Sequence, residues 1–166
     1  MSLAPPALSR REELRPIGLF GGLGDQTLGE LADSLDELHM RPGDVLFREG
    51  DDGREMYVLL DGEVEVVKRS RRGTDARVAL FGPGDWFGEM SILDIQPRSA
   101  TLRAVSPSRL VRITASNLDA LYRLDLKGYS LMVLNIAREL SRRLRVTDGL
   151  LAEVVANVVA EYGRPR

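Results

Sequence analysis

Two short stretches of this chain combine residue types that can hold a phosphorylated sugar. In Phe87-Gly88-Glu89-Met90-Ser91 a glycine precedes a carboxylate where a short helical pattern opens. In Pro97-Arg98-Ser99-Ala100-Thr101 an arginine is followed by a hydroxyl. A helix N-terminus offers a phosphate its unpaired N–H groups and the positive end of a dipole. Gly88 lets a ligand come close to the backbone. Arg98 carries a planar fork that matches two phosphate oxygens, and Ser99 can donate its hydroxyl and its N–H. Glu89 would repel a phosphate, but it suits a sugar hydroxyl, whose proton it can accept. A phosphate tied back to a ribose that keeps one hydroxyl free is a 3′,5′-cyclic nucleotide. A Gly-Glu pair or an exposed arginine is ordinary by itself; the reading rests on the two together, nine residues apart.

Such a cradle needs a scaffold. Between residues 44 and 113 the chain is a series of short β-forming runs, among them Val45-Leu46-Phe47, Met56-Tyr57-Val58-Leu59-Leu60 and Val64-Glu65-Val66-Val67. Gly/Asp/Pro turns separate them, such as Asp61-Gly62 and Gly82-Pro83-Gly84-Asp85. This texture predicts a mainly β domain, an antiparallel β-roll or jelly-roll barrel, with helices at both ends (α+β overall). Asp61-Gly62 suits a tight hairpin. Residues 1–15 read as a partly ordered lead-in, 16–128 as the β-roll with short helices, 129–160 as a long helix and 161–166 as a polar tail. In the first helix Asp25 is the expected N-cap, and Leu28, Leu31, Leu35 and Leu38 recur at helical spacing. Ser116 or Asn117 is expected to cap a later short helix. In the long helix Val133, Ala137, Leu140, Leu144, Thr147, Leu151, Val154 and Val158 step alternately by four and three, which is a heptad seam. Gly149 lies within it, to bend the helix or to let a neighbour approach.

Composition removes several alternatives. Lys plus Arg total 23 and Asp plus Glu 25, a net charge of −2 that argues against a free-standing nucleic-acid binder. With no cysteine and His39 as the one histidine, disulfides, thiolate catalysis, zinc and haem ligation are not expected. His39 reads as structural or solvated. No nucleophile–base pair or metal cluster is recognisable, so neither an enzyme nor a cofactor is expected. No apolar run approaches the ~20 residues needed to span a bilayer, and no secretory signal opens the chain. The expected location is cytoplasmic. Trp86 reads as a core or surface aromatic. Arg138, Arg142, Arg143 and Arg145 read as a solvated helix face with pairs such as Glu139 to Arg143.

The segment from Phe87 to Ser91 and on through Pro97-Arg98-Ser99-Ala100-Thr101 resembles the phosphate-binding cassette of the cyclic nucleotide-binding domain family. Leu19-Phe20 with Leu23, Pro42-Gly43-Asp44 through Arg48-Glu49-Gly50, and Tyr57 through Gly62-Glu63-Val64 resemble that family's opening helical motif and first strands. The resemblance implies that Glu89 holds the ribose 2′-OH and Arg98 the cyclic phosphate. It gives backbone and small-residue contacts to Gly88, Met90, Ser91, Ser99 and Ala100, beside Phe87. Ser141-Arg142-Arg143-Leu144-Arg145-Val146-Thr147-Asp148 is similar to the long dimer helix of bacterial catabolite activator proteins. There a threonine matching Thr147 reads the adenine amino group, and an arginine matching Arg143 reaches back to the glutamate. Asp148 departs from the hydroxyl residue usual at its position, which weakens the implied contact with the partner subunit's ligand. Those activators continue into a helix-turn-helix, whereas twenty residues follow Val146 here. The expectation is therefore a sensor without a DNA-binding part. Its ligand would be cyclic AMP, with cyclic GMP as the alternative. It would form a homodimer through residues 130–158 and act on an unidentified protein. The competing readings are a ligand-free interaction module of the same fold and the sensor part of a truncated transcription regulator.

Overall fold

The computed structural model describes residues 8–70 and 73–162. Five α-helices are α1 (Arg10–Leu14), α2 (Asp25–Ser34), α3 (Met90–Leu93), α4 (Ala115–Leu124) and α5 (Leu126–Tyr162), with a 3-10 turn at Gly18–Phe20. Eight strands are β1 (Asp36–Met40), β2 (Val45–Phe47), β3 (Glu55–Asp61), β4 (Val64–Arg69), β5 (Asp75–Phe81), β6 (Trp86–Phe87), β7 (Thr101–Ala104) and β8 (Ser108–Thr114). They form two antiparallel four-stranded sheets, ordered β1-β8-β3-β6 and β2-β7-β4-β5. The β3–β4 and β7–β8 connections pass from one sheet to the other and close the β-roll.

The central strand β3 explains the unbroken apolar run at residues 56–59. Its side chains alternate between two cores. Met56 and Val58 face the helices, where they meet Leu14, Phe20, Leu28 and Met132. Tyr57 and Leu59 face the second sheet, where they meet Phe87, Leu102 and Leu110. Asp61-Gly62 makes a tight turn, with Gly62 at φ +89°, but not the expected hairpin, because β3 and β4 enter different sheets and do not pair.

Several local expectations change. The lead-in contains a formed helix: α1 is closed by a capping box between Ser9 and Glu12, and Leu14 is fully buried. Residues 1–7, the rest of that expected segment, lie outside the described residues, as do 163–166 of the expected tail. Helix α2 stops at Ser34 instead of continuing through Leu38. Asn117 Nδ2 donates to the Ser34 carbonyl at 3.1 Å, and residues 36–40 pair with β8 from Asp36↔Arg112 to Met40↔Ser108. The spacing of Leu35 and Leu38 fits a helix, but Leu38 and Met40 also alternate as a strand does, and together they pack between the sheets. Gly24, not Asp25, is the α2 N-cap; Asp25 begins the helix, paired with Arg15. Thr114, not Ser116, caps α4, with Asn117 as its capping-box partner.

Asp125 separates α4 from α5 and fixes where α5 starts. Its carboxylate accepts from the Gly128 N–H at 2.9 Å and from the Thr27 hydroxyl at 2.8 Å. These bonds hold its pKa below the ordinary value. Helix α5 runs three residues earlier and two later than the expected 129–160. Met132 and Ile136 bury its first half in the core. Helix α5 runs through Gly149 without a break, and a Cβ there would meet nothing within 4 Å. No helix among the described residues is long and apolar enough to cross a membrane.

Candidate functional site

Strand β6 lies on β3 through Tyr57↔Phe87, which places Gly88 at the lip of the inter-sheet space. Gly88 has φ +84° and a Cβ there would stand 3.1 Å from the Glu55 carbonyl oxygen, so the turn requires glycine. It delivers Glu89 as the N-cap of α3. Helix α3 is one turn of four residues, so the helix-end attraction expected for phosphate shrinks to a few N–H groups. The return path crosses Ile95 at φ +48°, a left-handed conformation that a β-branched residue seldom adopts. Two backbone bonds then fix Arg98 against the turn after β2: Arg98 N donates to Asp51 O, and Gly50 N donates to Arg98 O, each at 2.8 Å.

These elements wall a cavity of about 150 Å³. Of the residues singled out from sequence, Phe87, Gly88, Glu89, Met90, Ser91, Arg98, Ser99, Ala100 and Arg143 line it. Arg98 is 3% exposed. Its Nη1 donates to the carbonyls of Glu55 (2.8 Å) and Gly88 (3.3 Å), and its Nη2 pairs with the Glu55 carboxylate at 3.1 Å. The guanidinium sits 4.2 Å from the centre of the Phe47 ring. Burial alone would raise the Glu55 carboxyl pKa. The Arg54 N–H, the Tyr57 hydroxyl and Arg98 outweigh that and hold it below the ordinary value. The same burial, with the Glu55 charge beside it, pushes the Tyr57 hydroxyl up to about 12.

Glu89 is also 3% exposed. Its Oε1 faces Arg143 Nη1 at 3.4 Å, and Arg143 continues to the Trp86 carbonyl (2.7 Å) and to Glu139 (2.8 Å). The long helix therefore closes one side of the cavity through Arg143. Thr147, one turn further along α5, is not part of the lining. It is exposed, and its hydroxyl donates to the Arg143 carbonyl at 3.0 Å.

Glu89 Oε2 and Arg98 Nε are both buried without a hydrogen-bond partner. Such atoms are costly unless something completes them. A sugar hydroxyl could complete the first and a phosphate oxygen the second, so the donor set fits a ribose phosphate. Burial pushes the Glu89 carboxyl pKa above its ordinary value of 4.5, against its own backbone N–H and Arg143 and with a further push from Glu139. Between 4.5 and that raised value the folded chain holds more protons than the unfolded one. Stability contributed by Glu89 is therefore lost as pH rises through that window. Glu89→Gln is expected to flatten this dependence in thermal melts of the ligand-free protein, while weakening ligand binding roughly tenfold or more.

Sequence reasoning did not single out Phe47, Val66, Phe81 and Leu102, which supply the apolar walls, nor Glu55, the partner of Arg98. Gly53 belongs with them. A Cβ there would come within 2.7 Å of the Arg98 Cζ, so only glycine leaves room for the guanidinium. The signal that could have found the walls is period-2 alternation along β4, which points Val64 and Val66 inward together.

Known proteins are similar to this chain. The chain is 30% identical over 144 residues to a CRP-like cAMP-activated global transcriptional regulator of Mycobacterium tuberculosis, covering 87% of this chain and 62% of that protein. It is 36% identical over 131 residues to the cyclic AMP receptor protein of Thermus thermophilus, covering 78% and 58%. It thus spans about three fifths of the length of these relatives. A crystal structure of a cyclic nucleotide-binding domain from Methylobacillus flagellatus KT superposes with a TM-score of 0.77 at 27% identity, covering 87% of this chain and 82% of that one. The family model of the cyclic nucleotide-binding domain matches residues 37–125, and with the cradle in place the chain belongs to that family.

Proposed function

We propose that the chain is a cyclic AMP sensor that binds its ligand between Arg98 and Glu89 and passes the signal on through α5. The observation that carries this reading is a buried arginine and a buried glutamate, Arg98 and Glu89, lining one cavity, the Glu89 Oε2 buried without a partner. The cavity offers positioned charges and aromatic walls but no nucleophile with a base beside it, which suits a binding module and not an enzyme. Cyclic AMP is preferred because both curated relatives are named for it. Thr147 supports the choice, since it stands one turn from Arg143 and its hydroxyl can exchange the Arg143 carbonyl for the base. Calorimetric titration with cyclic AMP and cyclic GMP tests the proposal. Saturable binding with cyclic AMP the tighter ligand is expected, and no saturation by either at millimolar ligand would sink it. Thr147→Val should weaken cyclic AMP by roughly 2- to 13-fold, the worth of one neutral hydrogen bond.

The second half of α5 supports a homodimer. Leu144, Leu151, Val154 and Val158 are 50–61% exposed along the heptad seam. A stripe of this kind buries itself best against its own copy. The occupant of the seam is a second chain, and the output goes to a protein that reads the geometry of the pair. Leu151→Glu places a charge in the seam, where burying one leucine contributes about 1.5–3 kcal/mol. In sedimentation at micromolar concentration the wild type is expected as a dimer and Leu151→Glu as a monomer. A wild-type monomer would overturn the dimer.

A further inference from the structure

Four aromatic rings run without a break beneath the cavity, from one of its arginines to the other. Phe47 on β2 and Tyr57 on β3 have ring centres 6.1 Å apart; Tyr57 and Phe87 on β6 are at 5.9 Å; Phe87 and Phe81 on β5 are at 5.5 Å. The planes become progressively more parallel, inclined by 31°, 26° and 9°. Each end carries a guanidinium: Arg98 lies 4.2 Å from the centre of Phe47, and Arg143 lies 5.0 Å from the centre of Phe81. Because β2 and β5 are the opposite edges of the second sheet, the stack spans the whole width of the roll.

The polar route between the two arginines is looser. It runs from Arg98 to the Gly88 carbonyl at 3.3 Å, along one peptide unit, and from Glu89 to Arg143 at 3.4 Å. Both contacts are long for charge-assisted hydrogen bonds. The rings, in contrast, are stiff bodies with two side-chain torsions each, and Tyr57 and Phe87 are almost wholly buried. Tyr57 meets Arg98 directly, its ring centre 5.8 Å from the guanidinium, and indirectly through Glu55, which accepts from the Tyr57 hydroxyl at 3.1 Å and pairs with Arg98. A displacement of the Arg98 guanidinium therefore presses on a packed column whose far end carries the arginine that seats α5. Rings in contact pass such shifts from one to the next along the column, although three of them also border the cavity.

We propose that the stack Phe47–Tyr57–Phe87–Phe81 couples Arg98 to Arg143, which makes Phe47 and Phe81 positioning residues that report the state of the phosphate arginine to α5. The proposal rests on the cavity being the ligand site, but its test does not need a ligand. Hydrogen exchange is followed at residues 139–147 of α5 in the ligand-free protein, with residues 110–113 of β8 as the internal reference for global opening. Arg98→Met is expected to speed exchange at 139–147 relative to the reference by about threefold or more, and to have less than half that effect when Phe81→Leu is also present. Phe47→Leu, at the other end of the stack, should suppress the response equally. If Arg98→Met fails to fold, Arg98→Lys, which keeps the charge and loses the planar face, replaces it in the same cycle. An equal response with and without Phe81, or no response in either background, overturns the coupling. A separate titration of the wild type with cyclic AMP reports on the ligand reading alone, so the two can fail independently.

Discussion

Replacing Arg98 with alanine is expected to weaken cyclic AMP binding by ~2–5 kcal/mol, roughly 30- to 5,000-fold in Kd, as for removing one half of a buried charge pair. The size follows from where the guanidinium is. It is 3% exposed and held by the Glu55 carboxylate, two carbonyls and the Phe47 face, so no other cation can move into its place. Its removal also strands the carbonyls of Glu55 and Gly88. Some loss of ligand-free stability is expected for that reason, limited because the Glu55 side chain, at 31% exposed, can still be hydrated. Arg98→Lys separates charge from shape. An ammonium cannot reproduce the fork and the stacked face together, so lysine should recover only part of the loss. Calorimetry on samples shown to be folded by circular dichroism reads the effect. An Arg98→Ala protein that binds as tightly as the wild type would remove Arg98 from the site.

What the sequence could and could not disclose follows from the range of the interactions involved. Gly88, Glu89, Arg98 and Ser99 lie within one segment of chain, and a short turn-and-return path brings them to one wall. Their chemistry could therefore be read together before any fold was known. The partner of Arg98 was out of reach because Glu55 is 43 residues away and meets it only when β3 and the cassette are adjacent. Phe47 lay in one of the expected strand runs, whereas Phe81 was not singled out. Nothing in a run of β-formers says which face looks into the cavity, and the two come from opposite edges of a sheet whose order is not the order of the chain. The β-roll itself was legible from turn punctuation. Strand β1 was not, because residues 35–40 carry apolar spacings compatible with both helix and strand, and only pairing with β8 decides between them. The heptad seam located α5, and four of its members, Leu144, Leu151, Val154 and Val158, are exposed. It did not disclose that Arg143 lines the cavity while Thr147, one turn on, is outside the lining.

Two glycines with nearly the same backbone conformation should respond differently to alanine, and the contrast divides folding from binding. Gly88 and Gly62 have φ of +84° and +89°, so each substitution incurs about 1–2 kcal/mol for a left-handed L-residue. At Gly62 the new methyl meets the Pro107 carbonyl and Ser108, whose Cα would lie 2.7 Å away. That is a clash with backbone, which cannot turn aside as a side chain can. Gly62→Ala is expected to cost ~2–5 kcal/mol in total, read as a lower midpoint in urea, because overpacking adds to the torsional strain. The turn is not part of the cavity lining, so the molecules that remain folded should bind cyclic AMP with unchanged affinity. At Gly88 the methyl would lie 2.8 Å from Arg98 Nη1 and 3.1 Å from the Glu55 carbonyl oxygen. The same two groups share a hydrogen bond that aims the guanidinium. Gly88→Ala must either displace Arg98 or spread β3 from β6, so it should lower stability and affinity together, with affinity down at least tenfold, the equivalent of about one lost hydrogen bond. Urea titrations and calorimetry on both variants check this. Normal affinity in Gly88→Ala would show that the Arg98–Gly88 juxtaposition is not what prepares the cradle, whereas lost affinity in a folded Gly62→Ala would show that the turn after β3 and the cradle do not move independently.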